Sequence, residues 1–294
     1  MIIQKHSHKH IFLKITIDIV LVVIFWAAAY GSCYYLNTQQ IAQIKNQANS
    51  SRIATQKAVA AKVAAREAKK KEPVYITLPG AQKIRAIVED YLSPSSMWTI
   101  VSKTHPISVD YIPVSLKIPD VGTNTSKSDL ERSVRYDIAT PLKTMFDQAN
   151  TAGYQLMIGS GYRSATLQAS YFNNLASSVG EETANQSIAR PGQSEHQTGL
   201  AADISTISQQ CYLDECFAGT GDGQWLVNNS YKYGFILRYP KGKETITSYQ
   251  YEPWHFRYVG VDLATALHDS GLTLDEAWSY METALNTLKS NGAI

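Results

Sequence analysis

Ser194-Glu195-His196-Gln197-Thr198-Gly199-Leu200-Ala201-Ala202-Asp203, joined far downstream by Glu252-Pro253-Trp254-His255, is the stretch around which this 294-residue chain is best read. It offers three candidate metal ligands, His196, Asp203 and His255, and one candidate general base, Glu252. Two neutral imidazoles and one carboxylate fill three positions of a tetrahedral Zn2+, and the fourth stays open for a water whose pKa the metal lowers toward ~7. A mononuclear zinc hydrolase requires that set. Taken singly, each residue has a duller reading: His196 as a structural hydrogen-bonding histidine, Asp203 as a helix or turn cap. Their combination points to a metal site. Glu252 could itself be a ligand, but a fourth protein ligand would close the position that catalysis needs, so acid/base work is assigned to it.

The spacing tests this against chain geometry. His196 and Asp203 are seven residues apart, so on one uninterrupted strand they would face opposite ways. Thr198 and Gly199 supply a bend, after which Leu200 to Ile204 read as a short buried strand delivering the carboxylate. Glu252 and His255 pose the same parity problem, and Pro253, which cannot donate to a ladder, marks the bend that lets both reach one cavity.

Several separated segments now resemble one family, the VanY-type D-alanyl-D-alanine carboxypeptidases, within the wider group that includes lysostaphin-like and hedgehog-like zinc folds. They are Trp98 to Ile107 with Tyr111-Ile112-Pro113, Ser160-Gly161-Tyr162-Arg163-Ser164 with Gln168, the two metal motifs, Gly234 to Pro240 with Lys243-Glu244, and Tyr251 to Gly260. The resemblance covers roughly residues 80 to 270. No ligand position departs from it; Ser248 stands where a glycine is expected, which touches only a local turn.

Composition sets the outer limits. With 44% hydrophobic and 18% charged residues, the chain holds one sizeable core plus an appendage, and a net charge of +2 with no basic, aromatic-interleaved patch argues against nucleic acid as a partner. Ile15 to Leu36 is apolar enough to cross a bilayer, and Lys5, Lys9 and Lys14 precede it. The positive-inside tendency keeps residues 1–14 cytoplasmic, makes residues 15–36 a transmembrane signal anchor, and exports the rest to the outside of the cell membrane. A buried core helix is the bland alternative. Ala29-Tyr30-Gly31 and Gly31-Ser32-Cys33 are passable cleavage sites, but the long apolar run favours a retained anchor. Export also makes a disulfide between Cys211 and Cys216 the expected use of that pair, whereas a second, thiolate-based metal site lacks neighbouring partners.

Residues 37–73 read as a helical basic stalk, with Ile41, Ile44, Ile53, Val59 and Val63 forming a stripe that allows weak self-association at most. Its lysines and arginines read as a solvated face, with anionic lipid or wall polymer as the sharper alternative. Residues 74–294 then form the catalytic domain. Helical spacing predicts a helix over Leu130 to Ala152, followed by a strand at Tyr154 to Gly159, helices over Ala165 to Ala176 and Trp225 to Lys232, a strand at Phe235 to Arg238, and helices over Asp262 to Ser270 and Thr273 to Lys289. The fold class is α+β: a small, mainly antiparallel sheet carrying the zinc site, with packed helices on its other side.

Arg163 is the candidate anchor for a substrate's terminal carboxylate, because a guanidinium binds both oxygens in a fixed plane; a surface ion pair is its duller role. The resemblance adds Gln168 and Ser194 as polar contacts to the peptide, and Tyr162, Trp254 and Tyr239 are candidate pocket walls, although core packing accounts for such aromatics equally well. An exported domain, a basic stalk and a carboxylate anchor beside one Zn2+ suit trimming of peptidoglycan stem peptides. A D,D-carboxypeptidase is the first expectation and an L,D-carboxypeptidase the second. A cross-bridge endopeptidase would not need Arg163, and a non-catalytic zinc-bearing wall-binding module would not need Glu252.

Overall fold

A computed structural model describes residues 5–68 and 73–294 of the chain. Residues 1–4 and 69–72, with the side chains of residues 5–19 and 63–68, lie outside the described residues, and so do the readings placed on them, Lys5, Lys9, Lys14 and Val63 among them. The chain divides into two compact units, 1–70 and 71–294. The first contains one helix, α1 (Lys5–Ala68), running without a break through the expected anchor and most of the expected stalk. Between its ends there is no proline and a single glycine, Gly31, so nothing local interrupts the hydrogen-bond ladder. Val20, Leu21, Val22, Val23, Ile24, Phe25 and Trp26 are all exposed on it. The helix is long and apolar enough to cross a membrane, which makes it a candidate anchor.

The second unit opens with two short antiparallel pairs, β1 (Tyr75–Ile76) with β2 (Ile84–Arg85), and β3 (Leu116–Lys117) with β4 (Val134–Arg135). Helix α2 (Tyr136–Thr151) follows, burying Ile138, Leu142, Met145, Phe146 and Ala149 at helical spacing. It starts later than the periodicity predicts. Val134 pairs with Lys117 and the Arg135 amide donates to Gly199 O at 2.9 Å, so these residues stay extended and the helix begins at Tyr136. Strand β5 (Leu156–Ser160) then leads to α3 (Ala165–Val179), capped by the Ser164 side chain, and to the short α4 (Glu181–Ser187).

A 3-10 turn at Glu195–Thr198 enters β6 (Ala201–Thr206). After it come α5 (Gly221–Asn229), β7 (Phe235–Leu237), α6 (Glu244–Thr247), β8 (His255–Tyr258), α7 (Val261–Ser270) and α8 (Leu274–Ser290). Helix α5 begins at Gly221 rather than at Trp225 because Thr220 caps it, and the expected tail to Lys232 falls partly in a 3-10 turn at Ser230–Tyr233. Thr273 and Glu276 form a reciprocal capping box at the start of α8. The Cys211–Cys216 disulfide is closed.

Strands β5, β6, β8 and β7 make one antiparallel sheet in that order. Alternation along β6 sends Ala202 and Ile204 into a core with Ile138, Leu142, Met145 and Phe256, and Asp203 to the other face. A second apolar cluster joins β1 and β2 to Trp98, α7 and α8. The sheet is thus covered by helix on one side and leaves a polar face for chemistry, as the sequence reading expects.

Candidate metal centre and active site

Register brings two of the candidate ligands together. Asp203 on β6 and His255 on β8 are direct cross-strand partners, so their side chains rise from the same face. His196 arrives from the 3-10 turn just before β6, where Gly199 at φ 69° takes the left-handed conformation that reverses the chain. The bend expected at Gly199 is therefore present, but it closes a helical turn rather than kinking a strand. Glu252 precedes β8 by one tight turn, with the His255 amide donating to Glu252 O at 3.1 Å across Pro253.

The donor atoms of His196, Asp203 and His255 all lie within 4.8 Å of one another, and all three residues are buried. His196 Nε2 stands 3.3 Å from Asp203 Oδ1, and His255 Nδ1 stands 3.1 Å from the same oxygen. The other nitrogen of His196, Nδ1, donates to Gly161 O at 2.5 Å. A neutral His196 therefore turns the Nε2 lone pair on a carboxylate oxygen, and that buried Nε2 has no hydrogen-bond partner. A cation between them relieves the clash of lone pairs, so the donor set fits Zn2+. Gly161 is required beneath it, since a Cβ there would come 2.2 Å from Ser133 O.

Burial, reinforced by the Arg163 charge, pushes the His196 imidazole down to about 4. For His255, burial works the same way but is outweighed by the neighbouring Asp203 and Glu195 carboxylates, which push it up to about 9. The Asp203 carboxyl resists its own burial and is held well below the usual range by His196, His255 and Arg163. Burial pushes Glu252 up to about 7. Glu252 Oε2 lies 3.6 Å from His255 Nδ1, at the edge of the ligand cluster rather than within it.

Arg163 follows β5 directly and reaches the same cavity. Its Nη1 donates to Gln168 Oε1 at 3.3 Å and its Nη2 approaches Asp203 Oδ2 at 3.4 Å, while Gln168 Nε2 donates to Ala189 O at 2.7 Å. Arg163 is not a surface ion pair; it faces inward, and Gln168 braces it. Arg163, Gln168, Ser194, Tyr239, Glu252 and His255 all line one pocket, together with Tyr249. Of the three aromatic walls expected, only Tyr239 lines it. Tyr162 is buried and Trp254 packs half-buried against the core, and neither lines the pocket. Tyr249 takes their place, its ring 4.8 Å from that of Tyr239. It follows Ser248, which adopts the left-handed conformation at φ 64° where a glycine was expected.

The sequence reading passed over Glu195. It is fully buried, and its Oε1 accepts from Arg238 Nε at 2.8 Å and Arg257 Nη1 at 2.7 Å. Arg257 also donates to Thr99 O at 2.7 Å, and Arg238 makes a double contact with Asp275 at the start of α8. The signal was an acid adjacent to His196 with arginines in two other quoted segments, but nothing local says that such charges will be buried.

A small antiparallel sheet presents two histidines and one aspartate that could hold one metal ion, beside a half-buried glutamate, which is the donor set expected of a single-metal peptidase. The comparisons agree: the VanY model, described as D-alanyl-D-alanine carboxypeptidase, matches residues 131–261. The Bacillus subtilis (strain 168) protein YodJ is 47% identical over 189 residues, spanning 64% of this chain and 69% of its own length. Among solved structures, the LdcB LD-carboxypeptidase is 47% identical, with a TM-score of 0.61 over 64% of this chain and 87% of that one. The vancomycin resistance D,D-pentapeptidase VanY from a VanB-type cassette, solved with Zn(II), is 30% identical with a TM-score of 0.52, covering 63% of this chain and 99% of its own. The chain belongs to the VanY carboxypeptidase family and is a peptidase.

Proposed function

We propose that this protein is a zinc-dependent carboxypeptidase that removes the terminal D-alanine from peptidoglycan stem peptides outside the cell. One observation carries the reading: His196, Asp203 and His255 bring donor atoms within 4.8 Å of one another, and the two histidines line a pocket with Glu252 and Arg163. When bound there, Zn2+ would supply Lewis acidity toward the scissile carbonyl and make water a better nucleophile near neutral pH. The protein does the rest. Glu252, on the pocket wall, accepts the proton of the attacking water and returns it to the leaving amine. Arg163, braced by Gln168, binds the carboxylate of the last residue and so selects a chain end over an internal bond. Ser194 offers a polar contact to the peptide, and Tyr239 and Tyr249 wall the pocket.

The presence of Glu252 weighs against a binding module without turnover, and the inward-facing Arg163 weighs against an endopeptidase. Of the two carboxypeptidase specificities, the greater identity to LdcB than to the D,D-pentapeptidase favours L,D over the D,D activity first expected. In this reading residues 1–14 remain in the cytoplasm, residues 15–36 anchor the chain, residues 37–73 form the stalk and residues 74–294 act on the wall. The test incubates the zinc-loaded full-length chain with synthetic stem tetrapeptide and pentapeptide, using Glu252→Ala as control and reading products by mass. Alanine lost from the tetrapeptide indicates L,D specificity, and loss from the pentapeptide alone indicates D,D. If the wild type leaves both peptides intact while binding zinc, the enzyme reading fails.

A further inference from the structure

Both arginines that hold Glu195 use the same oxygen, Oε1, and Oε2 is left buried with no hydrogen bond. The atom facing Oε2, at 3.6 Å, is His255 Nε2, which is also buried and also without a partner. That distance is longer than a made hydrogen bond, yet these are the two unpaired atoms on either side of one short gap. On its far side His255 turns Nδ1 toward Asp203 Oδ1 at 3.1 Å.

A neutral imidazole carries one proton, and where it sits decides which nitrogen can bind a cation. With the proton on Nε2, Oε2 of Glu195 accepts it and the Nδ1 lone pair points into the ligand cluster. With the proton on Nδ1, the lone pair of Nε2 faces the carboxylate and the metal loses a ligand. The anchoring of Glu195 excludes its turning away: Arg238 and Arg257 hold Oε1, and their side chains are fully buried.

We propose that Glu195 is the positioning residue of the metal centre: clamped through Oε1 by Arg238 and Arg257, it receives the Nε2 proton of His255 on Oε2 and so commits Nδ1 to the metal. The inference rests on the reading of His196, Asp203 and His255 as ligands. The two histidines are then held differently. His196 donates its second proton to the neutral carbonyl of Gly161, and His255 to an anion, which makes His255 the more strongly donating ligand.

Glu195→Gln is the informative change. Its amide oxygen stays on the two arginine donors, which turns the amide N–H2 toward His255 Nε2 and forces the imidazole proton onto Nδ1. Zinc affinity of the full-length chain, measured by chelator competition, should fall about 10- to 100-fold or more. Asp275→Asn removes a charge from the same arginine cluster without facing His255, so it should lower the thermal stability of the apoprotein and leave zinc affinity unchanged. Equal losses of affinity in both variants, or none in Glu195→Gln, overturn the proposal.

Should Glu195→Gln not fold, the wild-type protein decides. Histidine 15N spectra of the cadmium-loaded chain are expected to show His255 protonated at Nε2 and metal-coupled at Nδ1, and the reverse assignment refutes the proposal. A wild-type chain that binds no zinc at all removes the metal reading itself and this inference with it, an outcome distinct from tight wild-type binding that Glu195→Gln leaves intact.

Discussion

Asp203 and His255 are directly opposed on neighbouring antiparallel strands, and His255 Nδ1 stands 3.1 Å from Asp203 Oδ1. The sheet register, not loop flexibility, fixes that pair, so the carboxylate is pre-set for a cation. Asp203→Asn keeps the shape but removes the charge that offsets Arg163 and would neutralise the metal. Zinc affinity is expected to fall by more than about 100-fold, with the fold retained by circular dichroism. Unchanged affinity would remove Asp203 from the ligand set.

Arg163 contacts Gln168 and Asp203 at 3.3 and 3.4 Å, so its guanidinium is held loosely enough to turn to an incoming carboxylate. Losing that charge-assisted pair costs about 1.5–3 kcal/mol, or roughly 10- to 100-fold in kcat/KM, for Arg163→Ala on peptides with a free C-terminus. Arg163→Lys should recover part of this. Peptides with an amidated C-terminus should be equally poor substrates for wild type and variant, and a variant defect that persists on the amide would argue for a structural role.

Glu131 ties the segment before β4 to α3. Burial alone would raise its carboxyl, but hydrogen bonds from Tyr171 Oη at 2.5 Å and from Ser128, with Lys127 beside them, hold it down at about 2. A folded-state value below the ordinary 4.5 means that the stabilisation is complete above that pH and disappears as pH falls through about 2. Screened by solvent, the contribution is on the order of 1–2 kcal/mol near neutrality. Urea unfolding between those limits should show wild type losing stability with falling pH and Glu131→Gln, less stable at pH 7, losing less. Parallel acid limbs would assign the acid sensitivity elsewhere.

The Cys211–Cys216 bridge closes a short loop whose Tyr212 Oη donates to Gly159 O at 3.1 Å on β5. Restraining so few residues removes unfolded-state entropy worth about 2 kcal/mol. The Cys211→Ser/Cys216→Ser double variant should lose about that much in denaturant unfolding and keep its zinc affinity, because the loop supplies no ligand. A double variant as stable as wild type would make the bridge energetically silent.

The chemistry of the donor set, the helical stalk and the pairing of two close cysteines were legible because each depends on residue type and short spacing. Helix α2 was misplaced at its start because Val134 fits a helical period as well as a strand, and only the distant Gly199 carbonyl settles which ladder takes the Arg135 amide. The same holds at the site. Sequence determined that two histidines, an aspartate and a glutamate were available; tertiary structure decided that His196 turns Nε2, and His255 Nδ1, toward Asp203 Oδ1. It also decided that Tyr249 rather than Tyr162 or Trp254 completes the pocket wall, and that Glu195 is buried between two arginines. Bonding capacity is a local property of a side chain, whereas burial and the direction of a lone pair are set by strands and turns brought together from far along the chain.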